Sequence, residues 1–230
     1  MTKAKILSQY ASSFASLLSS IELGSVFNPY RHICPTHDDE RSPEIRRQNL
    51  TMYIDAAITA QLSTVWIGRD LGYRGGRRTG LPLTDEQHLG AFTSVFDAPA
   101  LKATRTENVK ERTAAEIWRI LSVIPSPPFL WNAFPFHPHE DGNHLNNRCH
   151  TKREFSLCED LLVSLLEVFN FENIYVLGND AERAMARLGK KCTYVRHPSY
   201  GGQTEFRRHM TEAYQLQQVQ FLKAEPQLAL

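Results

Sequence analysis

Residues 64–83 read TVWIGRDLGYRGGRRTGLPL, and this stretch decides the fold. Its first residues, TVWI, are β-branched, aromatic and apolar, as is typical of a buried parallel strand. The strand breaks at Gly68, and Asp70 then stands as the one acid of a loop rich in glycine and arginine. In an open α/β sheet, ligands bind outside the carboxyl ends of the strands, so we expect a site here. Arginine and backbone groups around a single acid indicate a polyanionic ligand, with the acid serving another purpose.

Three further apolar segments predict strands, and helical segments separate them. The strands are expected at residues 129–132, 173–178 and 192–195. Apolar spacing and capping residues predict helices over residues 3–22, 43–61, 111–123, 151–169, 181–188 and 203–222, and a helix cap at residues 84–86. Residues 28–42 and 139–150 are expected to form loops. Strands interleaved with helices favour an α/β fold in three layers, α/β/α, around a central four-stranded, mainly parallel sheet.

Composition bounds the class of protein. A chain of 230 residues that is 42% hydrophobic can bury one full core, so we expect a single domain over residues 1–230. Within it, residues 1–45 are expected to form an N-terminal helical extension and residues 223–230 a frayed tail. The net charge of +1 excludes a global basic field, so any affinity for nucleic acid must come from local patches.

Cysteine usage and hydropathy indicate the compartment. The four cysteines contain no Cys-x-x-Cys pair, whereas iron–sulfur sites usually show closely spaced pairs. A cluster held by all four remains an alternative. The chain shows neither a signal peptide nor an apolar run of roughly 20 residues. We therefore expect a cytoplasmic protein with reduced thiols and no membrane association.

Three of the predicted strands end in a conspicuous polar side chain: Asp70, Asn132 and His197. If the strands are parallel neighbours, these groups meet at one edge of the sheet. An amide suits the Watson–Crick edge of a base, an imidazole can donate to a carbonyl that gains negative charge, and an aspartate can orient water or steady a sugar cation. Together they fit hydrolysis of an N-glycosidic bond, in which the base departs as an anion and the sugar becomes cationic.

Three segments of the chain resemble motifs of the uracil-DNA glycosylase superfamily. GRDLGYRGGRRTGLPL is similar to its first motif, a Gly-x-(Asp/Asn)-Pro-Gly loop extended by Thr-Gly-x-Pro, and aligns without gaps to the single-strand-selective branch. RHPSYGG resembles its second motif, the His-Pro-Ser loop, and the strand ending in Asn132 resembles the one that reads uracil. The resemblance covers roughly residues 54–208, and its motif pattern is nearest to the single-strand-selective and mismatch-specific branches.

This resemblance implies a monofunctional DNA glycosylase that flips uracil from DNA and leaves an abasic site for base excision repair. Water would be the nucleophile, because no lysine lies in the matched motifs. Asp70 would then position the water, His197 would stabilise the departing base, and Asn132 would read uracil. The other base-contacting residues would be Arg69, Gly72, Tyr73 and Leu83. The DNA-binding residues would be Ser199, Tyr200, Gly201, Arg74, Arg77 and Arg78. The expected partner is uracil-containing DNA, single- or double-stranded, bound by a monomer without metal or cofactor.

Several positions depart from the superfamily pattern. Gly72 stands where the most uracil-strict branch has a tyrosine that excludes the thymine methyl, which predicts a roomier pocket and a broader choice of bases, deaminated purines among them. Leu71 replaces the usual proline, and Leu83 replaces a phenylalanine that stacks on the base. Gly201 occupies the position of the residue that wedges into the vacated stack, so Tyr200 is the candidate wedge.

Each assignment has a structural alternative. Asp70 could be a turn residue that satisfies nearby amides, Asn132 could cap a loop, and His197 could be an ordinary loop histidine before a proline. Arg74, Arg77 and Arg78 could be a solvated surface, and Tyr200 could be a packing residue. A histidine-rich stretch invites a metal site, although its spacing matches no specific zinc pattern and a polar loop beside the pocket is the simpler interpretation. Its members are His137, His139, Glu140, Asp141, His144, Cys149 and His150.

Two other functions compete with catalysis on DNA. The first is a non-catalytic module of the same fold that binds abasic or damaged DNA. The second is a nucleotide-binding α/β enzyme whose glycine loop holds phosphate. This second function would need a Gly-x-Gly-x-x-Gly or Gly-Lys-Ser/Thr signature at the start of a helix, and neither occurs in the glycine loop.

Overall fold

A computed structural model describes residues 3–216, with side chains from Gln9 onward. Its strands are β1 (Val26–Phe27), β2 (Thr64–Gly68), β3 (Phe129–Asn132), β4 (His137–Pro138), β5 (Asn173–Leu177) and β6 (Thr193–Val195). Its α-helices are α1 (Lys3–Ser20), α2 (Ser42–Thr59), α3 (Gly76–Thr79), α4 (Leu89–Phe96), α5 (Arg112–Leu121), α6 (Lys152–Phe169), α7 (Asn179–Arg187) and α8 (Gln203–Ala213).

Four strands form the central sheet, in the order β3-β2-β5-β6, and all three pairings are parallel. Helices flank the sheet, so the predicted α/β/α fold class is confirmed. The register pairs Gly68 with Asn132 and Leu177 with Val195. Because parallel strands run in one direction, their carboxyl ends lie along one edge of the sheet. After β3, the chain crosses over β2 and forms β5 on the other side of β2. An open α/β sheet binds its ligand at the point where the strand order reverses in this way.

Strands β2 and β3 are buried because they carry large apolar side chains on both faces of the sheet. Trp66 on β2 and Trp131 on β3 are almost completely buried. On one face, Tyr53 of α2 stacks on Phe129 with ring centroids 4.8 Å apart. Phe14 of α1 lies 5.7 Å from the Trp131 ring and is also buried.

The N-terminal residues are integral to the fold. Helix α1 contributes buried side chains to the core and packs against α2, as expected of a packing helix. Two short strands that we did not predict, β1 and β4, pair antiparallel and join this region to the chain after β3. Helix α8 ends at Ala213. The rest of the helix predicted to residue 222, and the tail over 223–230, lie outside the described residues.

Side chains from the N-terminal half hold the glycine loop in place. Arg46 forms a buried ion pair with Asp38, 2.5 Å between Nη2 and Oδ1, and donates from Nε to the Arg78 carbonyl at 2.9 Å. The Tyr30 hydroxyl donates to the Gly80 carbonyl at 2.9 Å. These buried bonds fix the backbone that follows β2. Within residues 3–216, no helix has an apolar stretch long enough to cross a bilayer.

Candidate active site

A cavity of about 400 Å³ opens at the carboxyl edge of the sheet, where β2, β3, β5 and β6 end. Asp70, Asn132 and His197 all line it. The predicted meeting of an acid, an amide and an imidazole at one sheet edge is therefore present. Asp180, which follows β5, lines the same cavity and completes a set of polar side chains from all four strand ends.

The Asn132 amide is buried and has no protein partner. Asn132 is 1% exposed, and its Nδ2 and Oδ1 atoms have no hydrogen-bond partner among the described residues. Leaving a buried polar group unsatisfied costs about 1–3 kcal/mol, so such a group in a cavity indicates a ligand that supplies the missing bonds. Gly68, its neighbour in the sheet, makes room for the amide, because a Cβ there would lie 2.4 Å from Oδ1. The loop-cap alternative fails because the amide caps nothing in the described residues.

Two side chains orient the Asp70 carboxylate. Its side chain is 4% exposed, and Oδ2 accepts a hydrogen bond from Arg69 Nε at 2.5 Å. Oδ1 accepts a second bond from His150 Nδ1. Arg69 also reaches Asp180 at 3.2 Å. Burial lowers the pKa of Arg69, but attraction to Asp70 and the hydrogen bonds to Asp70 and Asp180 are among the effects that together raise the net pKa, so Arg69 stays charged.

These contacts bear on the alternative role of Asp70 as a turn residue. In the described residues, the carboxylate bonds to Arg69 and His150 and to no backbone amide. A turn aspartate would instead accept from the backbone two residues on. The carboxylate is thus held by side chains at the rim of a cavity.

His197 is a neutral hydrogen-bond donor. Its Nδ1 accepts the backbone N–H of Ser199 at 3.1 Å, which places the ring proton of the neutral form on Nε2. Burial, followed by repulsion from Arg69 and Arg196, lowers the pKa of His197 to about 4. The ring is therefore uncharged at neutral pH, and its Nε2–H has no acceptor among the described residues.

The three arginines expected to bind DNA have different environments. Arg74 is exposed and packs over the Tyr73 ring, 5.3 Å from its centroid. Arg77 is 2% exposed and lies 3.9 Å above the Phe27 ring. Arg78 is 3% exposed and pairs with Glu86, 2.8 Å between Nε and Oε2. Both guanidinium groups are buried and stabilise the loop by contacts inside the protein. Contact with DNA needs an exposed side chain, so this burial does not agree with the predicted DNA contacts of Arg77 and Arg78. The solvated-surface alternative also fails for these two residues.

The loop after β6 presents an unusual aromatic side chain. Tyr200 is 99% exposed and has a φ of 52°, a left-handed backbone conformation that is uncommon for a bulky residue. Gly201 follows with a φ of 77°. The alternative of Tyr200 as a packing residue is therefore wrong. Ser199 lines the cavity, and its hydroxyl lies 3.1 Å from Thr113 Oγ1.

Glu111 belongs to the site but was missed by our sequence interpretation, which placed it only at the start of a helix. It lines the cavity beside Gly72. A Cβ on Gly72 would lie 2.3 Å from Glu111 Oε1, so this carboxyl fills space that we expected to be open. Burial, with Asp85 as second cause, raises the pKa of Glu111 to about 7, and Arg74 opposes the rise. The part of the cavity beside Gly72 is therefore lined by a polar carboxyl group that titrates near neutral pH.

Of the remaining base-contacting predictions, Leu83 lines the cavity and Tyr73 is not among its lining residues. Leu83 lines the cavity in a left-handed conformation with a φ of 55°. A Cβ on Gly68 would lie 2.9 Å from Leu83 Cδ2, which places Leu83 near the Asn132 amide. Tyr73 is partly exposed, and its backbone N–H donates to Asn147 Oδ1 at 3.0 Å.

The histidine-rich stretch divides into separate roles. His137 is buried, accepts from Arg77 at 3.0 Å and donates to the Asn146 carbonyl at 2.7 Å. Burial, with Arg77 as second cause, lowers the pKa of His137 to about 3. His150 contacts Asp70, so it is a second site residue that we missed, although it lies in the polar loop predicted beside the pocket. In the described part of the chain, no three His, Cys, Asp or Glu side chains are grouped so as to hold a metal.

Comparison with known proteins shows a similarity of fold. No protein-family model and no curated protein matches the chain. The crystal structure of wild-type SMUG2 from Pedobacter heparinus is similar, with a TM-score of 0.59 and 13% sequence identity, over 90% of this chain and 97% of that chain. The two chains share a fold. At this identity the similarity to SMUG2 establishes the architecture, and the chemistry depends on the side chains that line the cavity.

Proposed function

We propose that this protein is a monofunctional DNA glycosylase that flips uracil out of DNA and hydrolyses its bond to deoxyribose. The observation that carries the proposal is the buried Asn132 amide, which has no partner in the described residues and faces a cavity shared with Asp70 and His197. Uracil presents a carbonyl acceptor beside an N–H donor, and a single amide can satisfy both. The shared fold with SMUG2 is consistent with this function.

Each group has a distinct task in the proposed reaction. Asn132 holds the base, and the neutral His197 donates its Nε2–H to a base carbonyl that gains negative charge as the bond to C1′ breaks. The electron pair of the C1′–N bond moves into the base. A water molecule oriented by Asp70 adds its oxygen to C1′ and gives one proton to the carboxylate. That proton then passes through solvent to the released base, which leaves free uracil and an abasic sugar.

Water is the proposed nucleophile because none of the described residues lining the cavity is a lysine. A lysine would be needed for a Schiff base with the sugar. The proposed reaction therefore ends at the abasic site and does not break the strand.

The DNA is proposed to lie across the cavity mouth. Tyr200 is the proposed wedge, because it is a fully exposed aromatic side chain beside the cavity. Arg74 and Ser199 are the proposed contacts to the DNA backbone.

We propose that one copy of the chain acts alone, on single- or double-stranded DNA, and that deaminated bases other than uracil are also removed. The four cysteines are free thiols, which supports a reducing, cytoplasmic setting.

The hydrogen bonds that Asp70 accepts favour a second candidate function. Arg69 and His150 occupy one lone pair on each carboxylate oxygen. If these bonds prevented Asp70 from accepting a proton from water, the same cavity would bind damaged or abasic DNA without turnover.

The test is cleavage of end-labelled DNA that carries one uracil, treated with alkali after incubation. The glycosylase proposal expects strand breaks with the wild type and a loss of at least about 100-fold with Asp70→Asn, since the amide cannot take the proton. Asp160→Asn, an exposed change on α6, is the matched control and should behave as wild type. Tight binding to abasic DNA with no breaks would favour the binding module instead.

A further inference from the structure

The Glu111 carboxyl group packs directly on the backbone of the glycine loop. A Cβ on Gly72 would lie 2.3 Å from Oε1, and a Cβ on Gly75 would lie 2.3 Å from Oε2. Cβ atoms essentially never come so close to another atom, so the carboxyl occupies the space that a side chain at position 72 or 75 would need. Gly72 and Gly75 thus leave space beside the loop, and the carboxyl of Glu111, which precedes α5, fills it.

The fold makes no evident structural use of this carboxyl. Glu111 is the residue before α5, yet its side chain caps no helix N–H. Among the described residues, none hydrogen-bonds to its carboxyl oxygens or forms an ion pair with them. Its backbone N–H, in contrast, is bound to Asp85 Oδ2 at 2.7 Å. A carboxyl that lines the cavity without partners is available to a ligand.

Burial and the neighbouring Asp85 favour the neutral form of Glu111. Burial raises its pKa to about 7, and the negative charge of Asp85 adds to the rise. Arg74 on the glycine loop acts in the opposite sense. Asp85 is itself paired with His88 Nδ1 at 2.6 Å. Near neutral pH, a large part of the Glu111 population is a carboxylic acid, which can donate a hydrogen bond.

Building on the glycosylase function proposed above, we propose that Glu111 contacts the flipped base as a neutral acid that donates a hydrogen bond to it, and that ionisation of Glu111 switches base excision off. The residue thereby selects bases that present an acceptor atom toward Gly72. The proton stays on Glu111 throughout, while the electron pair of the C1′–N bond moves into the base.

Electrostatics gives the sign of the effect. The base leaves as an anion, so a donor in its pocket stabilises the transition state. An ionised carboxylate in the same place has lost its donor and repels the departing charge. Raising the pH through about 7 should therefore lower the rate of excision.

The test is the pH profile of single-turnover uracil excision by wild type, Glu111→Gln and the control Glu172→Gln. Glutamine keeps the volume and the donor but does not ionise. Wild type and the control should lose about tenfold per pH unit above the Glu111 pKa, whereas Glu111→Gln should not show this loss. Glu172 is exposed at the opposite edge of the sheet, just before β5. Equal alkaline losses in wild type and Glu111→Gln would overturn the proposal, and so would a wild-type profile that stays flat to about pH 9.

A binding measurement separates this inference from the glycosylase function. DNA that carries 2′-fluoro-2′-deoxyuridine resists hydrolysis, so its affinity reports base contact without chemistry. The wild type should bind it about tenfold more weakly at pH 8.5 than at pH 6, and Glu111→Gln should lose most of this difference. If the two proteins showed this difference in binding but the wild type excised no base, the proposed glycosylase function would be wrong and the proposed contact of Glu111 with the base would still be supported. The same pH dependence in both proteins would refute the contact.

Discussion

His197 Nδ1 accepts a hydrogen bond from the backbone N–H of Ser199 over 3.1 Å. This bond fixes the ring tautomer, because a nitrogen that accepts cannot carry the proton. The donor left for a ligand is Nε2–H. A neutral imidazole can then stabilise a departing base without transferring its proton, and the loop that sets the tautomer also carries Tyr200.

The first prediction concerns the charge of His197. Its pKa is lowered to about 4, so the ring becomes protonated only well below neutral pH. His197→Asn should lower excision by about 100- to 1000-fold, the usual cost of one preorganised donor. The ratio of wild-type to variant rates should be the same at about pH 5.5 and at about pH 8. A ratio that changes steeply between these values would show that imidazolium is the active form.

The second prediction uses the unpartnered amide of Asn132. Replacing it with leucine removes a buried polar group that has no partner in the described residues. Asn132→Leu should therefore raise the free energy of unfolding by about 1–3 kcal/mol while abolishing excision. Chemical denaturation and the uracil assay measure the two effects. A destabilised variant would mean that the amide has a structural role after all.

The third prediction separates two arginines of the same loop. Arg78→Met leaves Glu86 buried without its ion-pair partner, and should lower the free energy of unfolding by about 3–5 kcal/mol. Arg74→Met should leave stability within about 0.5 kcal/mol of wild type, because Arg74 is exposed. Arg74→Met should instead weaken DNA binding and reduce its salt dependence. Equal stability losses in both variants would contradict the assigned environments.

The fourth prediction concerns Tyr200. Its side chain is almost fully exposed, so Tyr200→Ala should not change stability. If Tyr200 fills the gap left by a flipped base, its loss should slow excision from duplex DNA by about tenfold or more. Single-stranded DNA has less stacking to replace, and its excision should fall much less. Equal losses on both substrates would argue against a wedge.

The strand-end residues could be predicted from sequence because a geometric rule governs them. Parallel strands end at one edge, so any polar residue directly after a buried strand is brought toward that edge. Asp70, Asn132 and His197 each follow a short apolar run that reads as a strand, and the structure places all three around one cavity.

The remaining site residues depend on contacts between distant parts of the chain. Arg77 and Arg78 read as surface charges, because nothing local shows that Phe27 and Glu86 lie beside them. Glu111 lines the cavity with its carboxyl in the space left by the missing side chains of Gly72 and Gly75. The glycines were visible in the sequence, but the element that packs on them was not.

This cavity is proposed to hydrolyse the bond between uracil and deoxyribose. The most direct test is mass-spectrometric detection of free uracil after incubation with DNA that carries one uracil, using wild type and Asp70→Asn. We predict one free uracil for each abasic site formed by the wild type, and at most a trace with the variant. Abasic-site binding with no free uracil, or equal release by both proteins, would contradict the account.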